Sequence, residues 1–278
     1  ASPHIRDAAT TEKIMLDVII ALSPAFVAGV LIFGVRAAIV VLVCVAACVL
    51  SEWLFQKGLK KPSTIGDLSA VVTGMLLGFN LPVGIPIWQA VIGSAFAIII
   101  VKQLFGGIGK NFANPAITAR LFMFIAFSVT MTTWVHPDGV SSATPLALIS
   151  KGEISALPSI QNMLIGVRGG CIGETSVIAL ALGGIYLLAR RVISWHTPVM
   201  FIGTVVILTA LLGEQPIYQM LSGGLFIGAI FMATDYASTP QTNWGRVIFG
   251  VGAGILTVLI RVYGSYPEGV SYSILLMN

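Results

Sequence analysis

The run DGVSSATPL, from Asp138 to Leu146, gathers hydroxyl side chains in a chain that is otherwise strongly apolar. It lies in the longest connection between two apolar segments, where a hydroxyl cluster gives no help to membrane insertion. The run therefore asks for a chemical explanation, and Thr144 is its candidate residue. The residue types also predict a plain turn at Asp138-Gly139, followed by a short helix that Thr144-Pro145 caps. The pattern alone favours the turn and leaves the site open.

A second polar stretch, GGIGKNFANPAITAR, runs from Gly106 to Arg120. Its glycines allow close backbone approach, Asn111 and Asn114 offer amide donors and acceptors, and Pro115 can open a helix at its first turn. We expect a polar loop that enters a helix at membrane depth, which is tolerable only where the loop lines a cavity or a ligand. The alternative is a plain loop followed by a helix cap.

A third polar place follows the apolar run that ends in Phe231-Met232-Ala233. Thr234 and Asp235 put a hydroxyl and a carboxylate there, and a hydroxyl-rich turn comes next. These side chains could hydrogen-bond a heterocycle with mixed donor and acceptor edges. The same residues also make an ordinary helix C-terminus.

Acidic residues inside apolar segments are costly and are functional candidates by default. Asp67, Glu174 and Asp235 lie at segment ends, where water or a lysine can also satisfy them, and they are the candidates for ion coupling. Glu52 is predicted to lie close to the cluster Lys57–Lys61. Asp17 is three residues into an apolar run and can reach the interface by snorkelling.

Composition defines the class of protein that must position these residues. Apolar residues make up 56% of the 278 and charged residues 9%, against roughly 25% charged in a soluble domain. Several runs approach the ~20 apolar residues that cross a bilayer. The chain is predicted to be an all-α integral membrane protein. Its ten apolar segments are 14–33, 37–55, 67–80, 85–104, 116–133, 173–189, 194–212, 217–234, 247–262 and 270–278.

The segments divide into five on each side of a long connection. We predict a first transmembrane half at 1–134, a loop outside the cytoplasm at 135–170, and a second half at 171–278 whose last span is truncated. The segments 67–80 and 217–234 are interrupted in corresponding positions, which is typical of broken helices around a midplane site. This layout predicts two inverted five-helix repeats.

Lysine and arginine asymmetry predicts the orientation. With the N-terminus in the cytoplasm, ten of the 15 basic residues fall on the cytoplasmic face and four on the other, with Arg120 inside a span. The run Asp138–Leu146 then lies outside the cytoplasm. The positive charge serves topology, so nucleic acid is not an expected partner.

Other chemistry finds little support in the sequence. The cysteines Cys44 and Cys48 share a helix face within an apolar run and are interpreted as packing residues. No Cys or His lies at metal-ligand spacing near them. His136 precedes a proline, and nothing places it beside a nucleophile. Phosphate-binding glycine motifs are absent from the sequence.

The segment DGVSSAT resembles the target motif of a flavin transferase, broadly D-x-x-[ST]-G-A-T. Together with NPA at Asn114 and MATD at Asp235, it makes the chain similar, over nearly its whole length, to the RnfD and NqrB family of membrane subunits. The resemblance implies that Thr144 holds FMN through a phosphoester, with Asp138, Ser141 and Ala143 matching the motif. Ser142 replaces its usual glycine.

The resemblance also implies a second, non-covalent flavin, riboflavin, nearer the cytoplasmic face. The candidates for its pocket are Asn111, Asn114, Pro115, Arg120, Thr234 and Asp235.

The family further implies a fold similar to urea and ammonium channels and a place in the bacterial inner membrane. The expected partners are the other Rnf subunits, among them a second FMN-bearing one, and the flavin transferase. The expected function is electron relay between ferredoxin and NAD, coupled to transport of Na⁺ or H⁺. A channel or secondary transporter without flavin is the alternative, and the motif at Thr144 separates the two.

Overall fold

Every regular element in the described part of the chain is a helix, which confirms the all-α prediction. The computed structural model describes residues 10–135, 143–264 and 268–278. Three residues of the predicted flavin motif, Asp138, Ser141 and Ser142, lie outside these ranges.

The first half of the chain contributes two long helices and several shorter ones. They are α1 (Thr11–Phe33), α2 (Val35–Gly58), α3 (Ser69–Phe79), α4 (Ile87–Ala95, continued as a π-helix over Phe96–Gln103), α5 (Pro115–Ala126) and α6 (Ser128–Thr132).

The second half repeats the mixture of long and short helices. They are α7 (Pro145–Ser150), α8 (Ile160–Ile165), α9 (Val177–Ala189), α10 (His196–Leu211), α11 (Pro216–Leu221), α12 (Leu225–Ile227, continued as a π-helix over Gly228–Met232), α13 (Asn243–Tyr263) and α14 (Val270–Met277).

Length and composition make three described helices able to cross a membrane: α1, α2 and α13. Five more apolar helices have 10–17 residues. These helices confirm a multi-pass membrane protein, whereas the count of ten spans stays a prediction.

Two of the predicted segments are broken, as the interruptions in their sequences indicated. The segment 67–80 begins as a 3₁₀ turn over Ile65–Asp67 and becomes α3 after Leu68. The segment 217–234 breaks between α11 and α12, where Gly223 and Gly224 both have positive φ, 65° and 67°. Because side chains rarely adopt two successive left-handed conformations, this turn depends on glycine. The break places two helix ends in the protein interior.

The first helices of the two halves, α1 and α9, pack closely together. Asp17 of α1 forms an ion pair with Arg190 at 3.2 Å and accepts a hydrogen bond from the Tyr186 hydroxyl at 2.9 Å. Asp17 therefore has partners on the neighbouring helix, which snorkelling alone does not provide. At Gly183, an added Cβ would overlap the carbonyl oxygen of Ala21.

The Gly183→Ala substitution is expected to destabilise the protein by about 1–3 kcal/mol, because the overlapped atom is backbone and α1 must move away. Thermal unfolding of the detergent-solubilised chain measures the change. Gly203→Ala in α10 is the matched control, since a Cβ there meets nothing within 4 Å, and alanine normally favours a helix. Equal melting temperatures for the two variants would contradict this close packing.

A buried stretch of chain, residues 166–176, enters the core between α8 and α9. Its backbone N–H groups at Ile172 and Gly173 donate to the carbonyls of Leu81 and Phe79 at 3.1 and 2.9 Å. Non-helical backbone at this depth is tolerable because protein surrounds it and satisfies its polar groups. This stretch begins inside the predicted loop 135–170, and it carries Arg168, Cys171 and Glu174 into the interior.

Candidate functional site

Thr144 is the residue before helix α7 and caps its N-terminus. Its hydroxyl oxygen accepts a hydrogen bond from the Ala147 N–H at 3.3 Å, as the cap in the sequence predicted. The side chain is half-buried, whereas its neighbour Ala143 is exposed. The local structure therefore agrees with the plain cap and also leaves the hydroxyl within reach of an external enzyme.

A polar cavity of about 250 Å³ lies beside α7. Sites for small molecules usually have ~300–1,000 Å³, so this volume can hold part of a flavin. Three elements form its walls. The lining residues are Leu146, Ile149 and Ser150 from α7, Glu214 and Gln219 near α11, and Arg261, Val262 and Gly264 at the end of α13.

Arg261 is held rigidly at the wall of this cavity. Its guanidinium donates to the carbonyl oxygens of Gln219, Ser222 and Glu268 at 2.6, 2.9 and 3.0 Å, and to the Gln219 amide oxygen at 3.2 Å. All these acceptors are neutral oxygens. The guanidinium charge is thus fixed in position without a hydrogen-bonded carboxylate.

Arg120 lies in a different environment from the one its position in the Gly106–Arg120 stretch suggested. It forms an ion pair with Glu268 and donates to the Asn80 amide oxygen at 2.6 Å and the Ser271 hydroxyl at 3.2 Å. It also contacts the Cys171 sulfur at 3.5 Å. Arg120 therefore joins α5 to the end of α3, the start of α14 and the buried stretch 166–176.

Glu174 and Arg168 complete a buried group of charges. The Arg168 guanidinium donates to the Ser222 hydroxyl at 3.3 Å and to the carbonyl of Glu174 at 3.1 Å. The Cys171 N–H donates to Oε1 of Glu174 at 3.2 Å. Oε2 of Glu174 is buried and has no hydrogen-bond partner, and a Cβ at Gly224 would lie 3.0 Å from it. An unsatisfied buried carboxylate oxygen calls for an explanation.

We call these five residues the arginine cluster: Arg120, Arg168, Glu174, Arg261 and Glu268. Three guanidiniums face two carboxylates, so with every group ionised the cluster carries one net positive charge. Charges out of water are tolerated only when they are paired and hydrogen-bonded. The cluster joins both broken helices and both last helices of the two halves.

The residues predicted for a second flavin lie in two neighbouring places. Asn114 caps α5, because its amide oxygen accepts from the N–H groups of Ala116 at 3.0 Å and Ile117 at 3.3 Å, and Pro115 is the first residue of the helix. The Asn111 amide donates to the Ala113 carbonyl at 3.0 Å. Both asparagines are buried, and their amides also serve local structure.

Asp235 lies at the wall of a cleft of about 310 Å³ that the polar loop after α4 also forms. The cleft is lined by Thr11, Ile14 and Met15 of α1, by Ile108 and Gly109, and by Asp235, Tyr236 and Ala237. The Asp235 carboxylate accepts from the Ser238 hydroxyl at 3.0 Å, and Thr234 donates to the Ile230 carbonyl at 2.6 Å. The structure thus brings the second and third polar places of the sequence together.

Helix α13 relates the two cavities. Arg246, near its start, donates to the Pro240 carbonyl in the turn that follows Asp235, and Arg261, near its end, lines the cavity beside α7. At ~1.5 Å per residue, these two residues are about 22 Å apart along the helix. Two separate cavities therefore lie near opposite ends of one long helix.

Glu52 has a different partner from the one predicted. Instead of the Lys57–Lys61 cluster, the buried Lys102 binds its carboxylate, with distances of 2.9 and 3.0 Å from the ammonium. The ammonium also donates to the Ser69 hydroxyl at 2.6 Å, and that hydroxyl contacts Asp67. Asp67 thus serves as a local cap for α3 through Ser69. Lys102, counted as a topological charge, is an interior residue.

Sequence reasoning missed three arginine-cluster residues: Arg168 and Arg261, which were counted as charges outside the cytoplasm, and Glu268. The available signal was a set of charged residues flanking glycine-rich runs, as in Arg168-Gly169-Gly170. Such charges are natural partners for the exposed ends of broken helices.

Interrupted apolar helices around a buried ionic core define a multi-pass membrane protein of the kind that moves ions or polar solutes. The profile of the NQR2, RnfD, RnfE family matches residues 1–278, and the chain belongs to this family. The predicted resemblance is therefore confirmed.

Two relatives show what proteins of this sequence do elsewhere. The chain is 50% identical to an integral component of the Na⁺-translocating ferredoxin:NAD⁺ oxidoreductase complex of Acetobacterium woodii, with 100% of this chain and 89% of the relative covered. It is 45% identical to the corresponding component of the proton-translocating ferredoxin:NAD⁺ oxidoreductase complex of Clostridium ljungdahlii, covering 100% and 90%. These relatives are subunits of redox-driven ion translocases.

Proposed function

We propose that this chain is a membrane subunit of an ion-translocating ferredoxin:NAD⁺ oxidoreductase that carries electrons on two flavins. The observation that carries the proposal is the full-length similarity to subunits of two such complexes. Electrons pass to and from the other subunits of the complex, one of which bears another FMN. The chain itself holds flavins in position and tunes them by hydrogen bonds and burial.

Thr144 is the proposed attachment point of FMN, through a phosphoester that a flavin transferase forms outside the cytoplasm. Three features of the described residues support the fit. The hydroxyl is half-exposed at the N-terminus of α7, the adjoining cavity is polar, and Arg261 and Gln219 supply donors at its wall. FMN supplies one- and two-electron redox chemistry when it is bound.

Riboflavin is the proposed occupant of the cleft at Asp235. The cleft combines apolar side chains from α1 with the carboxylate of Asp235, which suits a flat heterocycle with polar edges. Ile108 and Gly109 from the predicted polar loop close the other side. Asn111, Asn114 and Thr234 hold the surrounding backbone, so they act on this cleft through its shape.

Two inverted repeats of five helices are the proposed architecture. In support, the first helices of the halves, α1 and α9, pack together, and so do the last, α5 and α14. The second helix of each half packs against that half's broken helix, α2 against α3 and α10 against α11. With the N-terminus in the cytoplasm of a bacterial inner membrane, Thr144 then lies outside and Asp235 inside.

Flavin analysis of the purified chain tests the cofactors. After co-expression with the transferase, we expect the denatured chain to keep covalent FMN and to release about one riboflavin. Asp235→Leu is expected to reduce the released riboflavin at least tenfold, because it removes the carboxylate from the cleft, and to leave the covalent FMN unchanged. Glu153→Leu, at an exposed position, is the control. Full riboflavin content in Asp235→Leu would contradict this site, and a chain without any flavin would favour a channel.

A further inference from the structure

The cavity beside α7 has charged walls of opposite sign that the proposed function does not yet use. Arg261 lies on one wall, where it is only 6% exposed. Glu214 lies on another. Both belong to the second half of the chain, whereas the cap residue Thr144 precedes α7 in the connecting segment. The charges therefore face whatever group α7 brings to the cavity.

We propose that this cavity receives the flavin carried by Thr144, and that Arg261 and Glu214 set its reduction potential in opposite directions. This inference rests on the proposed function, because it assumes the phosphoester at Thr144. Reduction adds negative charge to the flavin side of the cavity. A fixed positive charge nearby favours the reduced form, and a fixed negative charge disfavours it.

The fixed position of the Arg261 guanidinium makes its charge effective. Its four hydrogen bonds go to carbonyl and amide oxygens that belong to α11, the following turn and the residue before Gly269. Preorganised charges in a dry site act more strongly than mobile ones in water, since no reorganisation is needed when the flavin charge changes. Arg261 thus acts as a positioning residue for charge.

The neighbouring charges do not cancel this effect. Glu268 accepts from Arg261 through its backbone carbonyl, whereas its carboxylate forms an ion pair with Arg120. Glu174 is the other acid of the arginine cluster. Because the cluster has three guanidiniums for two carboxylates, the side of the protein that faces the cavity keeps a positive balance.

Leu146 connects α7 to the same region. A Cβ at Gly223 would contact both the Leu146 side chain and Arg261, so α7 rests on the glycine turn between α11 and α12. Leu146 is 4% exposed. This packing keeps the first turn of α7, and with it Thr144, at a constant position relative to the guanidinium.

Redox titration of the covalent flavin tests the inference. The full chain, co-expressed with the transferase, is titrated by absorbance, and the spectrum of Thr144→Val is subtracted to remove non-covalent flavin. Arg261→Gln is expected to lower the ratio of reduced to oxidised flavin about tenfold at a fixed potential. Glu214→Gln is expected to raise that ratio. Arg261→Lys keeps the charge and should stay close to the wild type.

Lys151→Gln is the matched control, since it removes the same charge at an exposed residue just after α7, where water screens it. An unchanged potential in both Arg261→Gln and Glu214→Gln, with in-gel fluorescence retained, would overturn the inference and leave the proposed function standing. Loss of fluorescence in the wild type would instead overturn the proposed function. If Arg261→Gln does not fold, Glu214→Gln decides alone: a raised ratio supports the inference and an unchanged one overturns it.

Discussion

Replacing Thr144 by valine is expected to abolish the in-gel flavin fluorescence of the chain and to stop ferredoxin-dependent NAD⁺ reduction by the complex. Valine has nearly the shape of threonine but offers no hydroxyl for a phosphoester. Loss of the cap to α7 costs only about 1 kcal/mol, so the variant is expected to fold. A folding defect and a cofactor defect are therefore separable.

Two variants serve as controls for this result. Thr133→Val removes an exposed hydroxyl at the start of the long connection and should keep full fluorescence. Thr144→Ser keeps a hydroxyl at the cap position and should keep some. The assignment fails if Thr144→Val retains the fluorescence of the wild type. A melting temperature within a few degrees of the wild type confirms that the fold is intact.

Glu174→Gln is expected to reduce ion transport by the complex at least tenfold while the flavin content stays unchanged. Glu174 stands out among the three acids proposed for ion coupling, because its Oε2 is buried without a partner. Asp67 is engaged with Ser69, and Asp235 with Ser238 and the Ala237 N–H. A buried carboxylate oxygen in this state gains most from a proton or a cation.

Coupling further requires that the carboxylate binds the ion differently in two states of the protein. The position of Glu174 suits this requirement, since it lies at the glycine turn between α11 and α12 and near Arg120. A change in the charge of a flavin near Arg261 can reach it through the arginine cluster. Relatives at 50% and 45% identity carry the names of Na⁺ and proton translocases, so the site must accommodate either ion within one family.

Transport is measured in vesicles that contain the complete complex, with ²²Na⁺ uptake and a pH-sensitive dye as parallel readouts. Glu153→Gln, at an exposed position, is the control for the charge change. Electron transfer that continues in Glu174→Gln without transport indicates uncoupling. Transport at the wild-type rate in Glu174→Gln would remove this residue from the ion path.

Hydropathy predicted the class of the fold because the number of apolar residues in a run is a local property. The interruptions at 67–80 and 217–234 were also readable, since glycine and polar residues break a helix wherever they fall in an apolar run. The chain reversal at Gly223–Gly224 is the clearest case, because its two positive φ angles need glycine.

The partners of the buried charges could not be predicted in the same way. Lys102 and Arg261 look like interfacial charges in sequence, because each lies near the end of an apolar run. Their acceptors, Glu52 and the carbonyls of Gln219 and Ser222, are about 40 to 50 residues away. Only the packing of the helices decides whether such a side chain reaches the interface or turns inward.

The stretch 166–176 shows the same limit for backbone. Its glycines and charges read as part of a solvated loop, yet it lies in the core against the end of α3. Hydropathy scores side chains and is blind to backbone groups that find partners in another segment. The same region carries Glu174, whose candidacy arose from its position near a segment end and is sharpened by its burial.

Peptide mass spectrometry of the co-expressed chain tests the central claim most directly. Cleavage after Arg120 and Lys151 releases a peptide that contains Thr144. We predict that its mass increases by one FMN less one water, and that fragmentation assigns the addition to Thr144. An unmodified peptide from a chain that has assembled into an active complex, or an addition on Ser141 or Ser142, would contradict the account.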